Sequence, residues 1–115
     1  MINTNGEIEY KEIKYSLVFN INVMQEIQDE YGTIEKWFEL VDADEPNIKA
    51  VIFGFTKMIN EGIDIDDEDL PRNEKRKQFS TKQVGRMLDE IGFQKALNTL
   101  NQTVIDSTKS DEKNA

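Results

Sequence analysis

The residues best suited to chemistry form an acidic run, in which five of the six residues from Asp64 to Asp69 carry carboxylates. Closely spaced carboxylate oxygens are the ligands that Ca²⁺ prefers. An EF-hand loop counted from Asp64 would need glycine at its sixth position and a carboxylate at its twelfth, but these positions hold Asp69 and Lys75. We therefore predict no metal site, and we interpret the run as part of a solvated, mobile loop at 63–79.

A basic run follows the acidic one, with cations at Arg72, Lys75, Arg76 and Lys77. No aromatic residues are interleaved with these cations, and the neighbouring acids weaken their field. The whole chain carries 23 acidic and 14 basic residues, a formal net charge of -9, which opposes binding to nucleic acid or to an anionic membrane. We therefore predict neither partner. The two runs favour an acid-base clasp, formed within one molecule or between two.

Catalytic chemistry is restricted by two absent residue types, because the chain contains neither histidine nor cysteine. This excludes an imidazole base, a Ser-His relay, a thiolate nucleophile and the common zinc ligand sets. The sequence has no glycine-rich phosphate loop, and no carboxylate stands alone in an apolar context that would raise its pKa for acid catalysis. We expect a protein that is not an enzyme and that uses no cofactor.

Aromatic residues provide the candidates for binding another protein. Phe53 points away from the apolar stripe of its predicted helix and has Lys49 and Lys57 as neighbours on the helical wheel. It either packs beneath the hairpin or another helix, or forms an exposed aromatic anchor with a polar rim. Trp37 and Tyr31 are further candidates, although core packing is the alternative for Trp37. The predicted partner-binding surface is therefore Phe53, Trp37 and Tyr31, with Lys49 and Lys57 at the rim.

The elements that position these residues are predicted from apolar periodicity. Alternation of period two from Ile8, with a change of phase near Lys11 and Glu12, predicts a short β-hairpin, although no glycine or asparagine marks its turn. Helical spacing then predicts about five helices, so the fold class is mainly α. The third helix should end at Gly62 and lie at the centre, because it has the most continuous stripe: Ile48, Val51, Ile52, Phe55 and Ile59.

A capping box at Ser80 and Gln83 marks the start of the fourth helix. We expect one helical domain over residues 8–105, with a flexible leader at 1–7 and a disordered tail at 106–115.

No export signal and no apolar segment of membrane-spanning length is visible. The cytoplasm is therefore the expected compartment. A second copy or a partner would help to stabilise so small a core, so a homo-oligomer is possible.

Two segments carry a resemblance to a known family. In YSLVFNINVMQEIQDEYGTIEKWFELV, an apolar strand runs into an asparagine cap, a helix that ends in Tyr-Gly and a second helix with bulky apolar residues. In FSTKQVGRMLDEIG, an aromatic residue precedes a Ser/Thr cap and a Gln-Val-Gly helix start. With the chain's size, acidity and polar tail, the layout of residues 8–105 resembles the tail assembly chaperones of long-tailed phages and prophages of Gram-positive hosts.

The resemblance implies a helical domain without enzymatic activity that binds the tape measure protein during tail assembly. Such a chaperone keeps this long helical protein soluble, recruits tail tube protein and is absent from the finished virion. In some members of the family a frameshift adds a C-terminal extension. The alternatives are a small structural or connector protein that stays in the particle, and an acidic regulatory module that binds proteins.

Overall fold

A computed structural model describes the backbone of residues 6–114 and the side chains of residues 6–108. It is 66% helical, with an antiparallel two-stranded hairpin at the N-terminal side and five α-helices within these residues. The predicted fold class is therefore confirmed. The elements are β1 (Gly6–Tyr10), β2 (Ile13–Leu17), α1 (Ile21–Tyr31), α2 (Ile34–Val41), α3 (Ile48–Asp66), a 3₁₀ turn (Arg72–Glu74), α4 (Thr81–Ile91) and α5 (Phe93–Asn114).

The hairpin has the register that the change of phase predicts, with Ile8 opposite Tyr15. Its two turn residues, Lys11 and Glu12, have φ values of 52° and 66°. A two-residue turn of this kind needs positive φ at both positions, which is why asparagine and glycine usually occupy it. Here two ordinary residues take up the left-handed conformation, so the sequence carried no turn signal.

Helix α3 lies at the centre of the fold, as predicted, and packs against β2, α1, α2 and α4. It extends four residues beyond the predicted end at Gly62. Gly62 is helical, and a Cβ atom there would overlap the backbone carbonyl of Ser16 in β2. The glycine therefore permits a close approach between helix and strand instead of ending the helix. The amide of Val18 also donates to the carbonyl of Met58 at 3.2 Å, which holds the strand end to α3.

Helix α4 begins at the predicted capping box. The Ser80 hydroxyl accepts from the Gln83 amide at 3.1 Å, and the Gln83 side-chain oxygen accepts from the Ser80 amide at 2.8 Å. Asn60 on α3 exchanges two hydrogen bonds with the backbone of Phe79, just before α4. Further along, Gly85 lies beside Ile52. Helix α4 therefore runs antiparallel to α3.

Most residues of the charged segment 63–79 are exposed, as predicted, but part of the segment has defined structure. Its first residues belong to α3, and Asp67 is only 5% exposed. The Asp67 carboxylate accepts hydrogen bonds from the Arg76 Nε at 3.0 Å, from Nη2 at 2.9 Å and from the Arg76 backbone amide at 2.8 Å. The acid-base clasp is thus confirmed in its intramolecular form, whereas the solvated interpretation is wrong at Asp67, because Arg76 compensates the buried charge.

The predicted ends of the domain need correction. Gly6 and Glu7 belong to β1 and not to a leader, and residues 1–5 lie outside the described residues. Helix α5 continues to Asn114, so residues 106–114 do not form the predicted disordered tail. Ser107 is buried, and Gln102 donates to the Asp106 carboxylate one turn away at 2.8 Å. The burial of Ser107 and the hydrogen bond between side chains four residues apart stabilise this part of the helix, although it has no apolar stripe.

Candidate protein-binding site

An open groove of about 710 Å³ lies between α3 and α4. Its α3 wall comes from the first two turns of that helix, and its α4 wall comes from the first three. Most of its lining is apolar. We call it the α3/α4 groove, and its main lining residues are Ile48, Lys49, Ile52, Phe53, Lys82, Gly85 and Arg86.

Gly85 lines the groove without contributing a side chain to it. An added Cβ atom at Gly85 would have the Ile52 Cδ1 as its nearest neighbour at 3.8 Å, which is an ordinary van der Waals contact. Ile48, at one end of the groove, is 61% exposed. It was predicted as part of the core stripe, but no described element covers the Ile48 side of α3. The groove therefore presents apolar side chains to solvent.

Phe53 is half-buried and combines the two roles that the sequence left open. Its ring makes an edge-on contact with Tyr31 of α1, with 5.5 Å between the ring centroids. Lys57 places its ammonium 5.3 Å from the centre of the same ring and pairs with Glu26 at 3.4 Å. Phe53 thus packs on α1 and also forms part of the groove wall.

Tyr31 and Lys57 hold Phe53 from its α1 side and are not among the groove-lining residues. Partial burial raises the pKa of Tyr31, and the neighbouring Glu30 carboxylate raises it further. The phenol is therefore neutral at physiological pH. Lys49, the remaining predicted rim residue, is exposed and lines the groove directly.

Trp37 was the wrong choice for a partner-binding residue, because it is completely buried. Its indole nitrogen donates to the Ala50 carbonyl at 2.9 Å, and its ring stacks on Phe19 with 6.1 Å between centroids. The ring also occupies the space left by Gly54 on α3. A helical wheel places Trp37 on a face of α2, but it cannot show that a glycine on another helix makes room for the indole.

Sequence analysis missed the whole α4 wall of the groove, including Lys82, Gly85 and Arg86. The two cations lie one helical turn apart with the glycine between them. That spacing, in a helix with a clear capping box, was the available signal. A glycine inside a capped helix costs stability and so suggests a packing or binding role.

A second groove, of about 520 Å³, lies between α2 and α5. We call it the α2/α5 groove. Its apolar walls include Ile34, Phe38 and Ile105, but its ionisable lining residues are the acids Glu35 and Glu39. The two grooves are thus similar in apolar character and opposite in charge.

Within the described residues, no helix has the length and apolar character needed to cross a bilayer. The same residues include no group of three or more carboxylates placed to hold a metal ion. Comparison of the chain with known protein families, with curated proteins and with solved structures found no match.

Proposed function

We propose that this protein is a tail assembly chaperone of phage or prophage type that binds a helical segment of the tape measure protein in the α3/α4 groove. The observation that carries the proposal is the open, mainly apolar groove with the Phe53 ring in its wall. Amphipathic helices bind to other proteins by placing their apolar face in such grooves. The sequence resemblance supplies the identity of the client.

The physical character of the groove supports a protein partner. Ile48 is largely exposed, and together with Ile52 and Phe53 it offers a continuous apolar surface. Exposed apolar patches with a polar rim are typical of sites where proteins bind. The Phe53 ring is held by Tyr31, so little side-chain entropy is lost when a partner covers it.

The remaining parts of the proposal follow from composition and resemblance. The protein acts in the host cytoplasm without catalysis, and recruits tail tube protein once the client is bound. Its net charge of -9 would repel other loaded complexes and so limit their aggregation.

The test is co-expression of the tagged protein with the tape measure protein encoded downstream, followed by measurement of the client that is soluble and co-purifies. Gly85→Leu should fill the α3/α4 groove and reduce capture by more than about tenfold, as loss of a central apolar contact does. Leucine is a better helix former than glycine, so α4 should be retained. Undiminished capture by this variant would contradict binding in the groove.

Thr108→Leu is the matched control, because it adds a leucine to the α2/α5 groove instead. Thr108 is exposed on α5, so the change should leave both the fold and client capture intact. Circular dichroism and thermal melting of both variants would verify their folds. Equal loss of capture in the two variants would count against a specific role for the α3/α4 groove.

A structural protein that stays in the particle is the competing function, since an open apolar groove also suits a permanent interface. Purified virions distinguish the two. A chaperone should be missing from the particle, whereas a connector protein should be present in fixed proportion to the tail proteins.

A further inference from the structure

The α3/α4 groove has an unusual charge for this molecule. Three of the four ionisable side chains that line it are cations, Lys49, Lys82 and Arg86, and the fourth is Asp89. The chain as a whole has a net charge of -9. Cations are therefore concentrated where the apolar surface is open.

These cations lie on both walls of the groove. Lys49 belongs to α3, and Lys82 and Arg86 belong to α4. All three are exposed, and among the described residues none has a carboxylate within ion-pair distance. Their charges are thus available to a bound partner.

Two other concave surfaces among the described residues have the opposite charge. A polar pocket between α1 and α3 is lined by four carboxylates, Glu26, Asp29, Glu61 and Asp64, with Lys57 as its one cation among the described residues. The ionisable lining of the α2/α5 groove is Glu35 and Glu39. A pocket beside the hairpin is lined by the cations Lys11 and Arg86 and by no carboxylate of the described residues, and it shares Arg86 with the α3/α4 groove. The positive charge is therefore a local property of the surface on both sides of α4, of which the α3/α4 groove is one part.

We propose that the segment bound in this groove is an amphipathic α-helix with aspartate or glutamate along both edges of its apolar stripe. This inference rests on the proposed function and specifies the chemistry of the client segment. The apolar stripe would cover Ile48, Ile52 and Phe53, and the acids on its two edges would meet cations on both walls. Complementary charge of this kind governs register and partner choice more than total affinity.

A helix suits the shape of the groove better than a nucleic acid does. Two antiparallel helices form a channel along which a third helix packs through its side-chain ridges. A nucleic-acid backbone would use the cations but would leave the apolar floor without a partner. The mainly apolar lining therefore favours the helix.

The experiment compares two synthetic helical peptides of about 18 residues, or five turns. Both carry the same leucine and isoleucine stripe, and the stripe is flanked by glutamate in one and by lysine in the other. Fluorescence anisotropy with the full chain should show the glutamate peptide binding about tenfold tighter at low salt, from several exposed pairs acting together. The difference should shrink as salt screens the pairs.

Two variants test where the preference originates. The triple variant Lys49→Glu, Lys82→Glu and Arg86→Glu changes only exposed side chains and should favour the lysine peptide. Gly85→Leu should abolish binding of both peptides. Retained preference for the glutamate peptide in the triple variant would overturn the proposal, since the rim would not be its source.

Other results would also overturn the inference. They are equal affinity for the two peptides, displacement of the glutamate peptide by a single-stranded oligonucleotide, and a self-association that Gly85→Leu disrupts. The inference and the proposed function fail separately. If capture of the tape measure protein depends on Gly85 but the peptides show no charge preference, only the inference is contradicted. If the peptides show the charge preference but the tape measure protein is not captured, only the proposed function is contradicted.

Discussion

The two sides of α3 differ in how completely they are covered. On the α2 side, Gly54 of α3 receives the indole ring of Trp37, which is fully buried. On the α4 side, Gly85 faces Ile52 across an open groove, and only ordinary contact would result from an added methyl group. One glycine makes room for a side chain of the same molecule, and the other leaves room that the described residues do not fill.

This difference indicates that the two glycines have different roles. Protein interiors are close-packed, so a glycine opposite a large side chain belongs to the core. Gly85 makes room for no side chain of the described residues. The cost in helix stability at Gly85 is therefore explained if a partner occupies the groove.

The largest effect is expected from Gly54→Ala, because the new Cβ atom would overlap the Trp37 ring. The ring is fixed by its hydrogen bond to Ala50 and by stacking on Phe19, so it cannot move away easily. We expect the free energy of unfolding to fall by about 1–3 kcal/mol, as in other overpacked cores. Urea denaturation would measure this fall in the free energy of unfolding.

Trp37→Phe provides the control for that prediction. A smaller ring relieves the overlap, so Gly54→Ala should cost less in the Trp37→Phe background than in the wild type. A double-mutant cycle should give a coupling energy of about 1 kcal/mol or more. Additive effects would show that the indole is not what limits the space at position 54.

A smaller effect of opposite sign is expected from Gly85→Ala. Alanine forms helices better than glycine, and nothing lies closer to the new Cβ atom than the Ile52 methyl group at 3.8 Å. The free energy of unfolding should therefore rise by about 1 kcal/mol. Thermal unfolding would measure the gain. A loss of stability would mean that the α4 side is as tightly packed as the α2 side.

The smallest change in the free energy of unfolding is expected from loss of the clasp between Asp67 and Arg76, just beyond α3. The Arg76 side chain, followed by its backbone amide, lowers the pKa of Asp67. A carboxyl whose pKa is lower in the folded than in the unfolded state stabilises the protein at any pH above its unfolded-state pKa. This contribution is lost as the pH falls through the folded-state pKa. The clasp should thus contribute fully at neutral pH and weaken below about pH 4.

Asp67→Asn isolates this contribution from those of the other carboxylates. The wild type should be more stable than the variant at neutral pH, and the difference should narrow as pH falls below about 4. Urea denaturation across this range would measure it. A difference that stays constant with pH would rule out the Asp67 charge as its cause.

Local signals in the sequence predicted much of the fold. The change of phase at Lys11 located the hairpin turn, and Ser80 with Gln83 located the start of α4. These features depend on residues close together in the chain, so periodicity and capping rules suffice. The same rules identified α3 as the central helix.

The errors arose where residues distant in sequence determine the outcome. Gly62 looked like a helix end because its contact with Ser16 is formed across the fold. Asp67 was predicted to be solvated because the sequence does not show that Arg76, nine residues away, forms hydrogen bonds with its carboxylate. The lining of the candidate groove was predicted in part: Phe53 and Lys49 line it, whereas the position of Gly85 in its wall depends on which helix lies opposite.

The turn at Lys11 and Glu12 bears on the order in which the chain folds. Two non-glycine residues held at positive φ oppose turn closure, and an isolated two-stranded hairpin is marginal in water. The second strand is instead held by α3, through the close approach of Ser16 to Gly62 and the hydrogen bond from Val18. The strands should therefore pair late, on a helical nucleus that has already formed, so the hairpin should be among the last elements to reach its native structure.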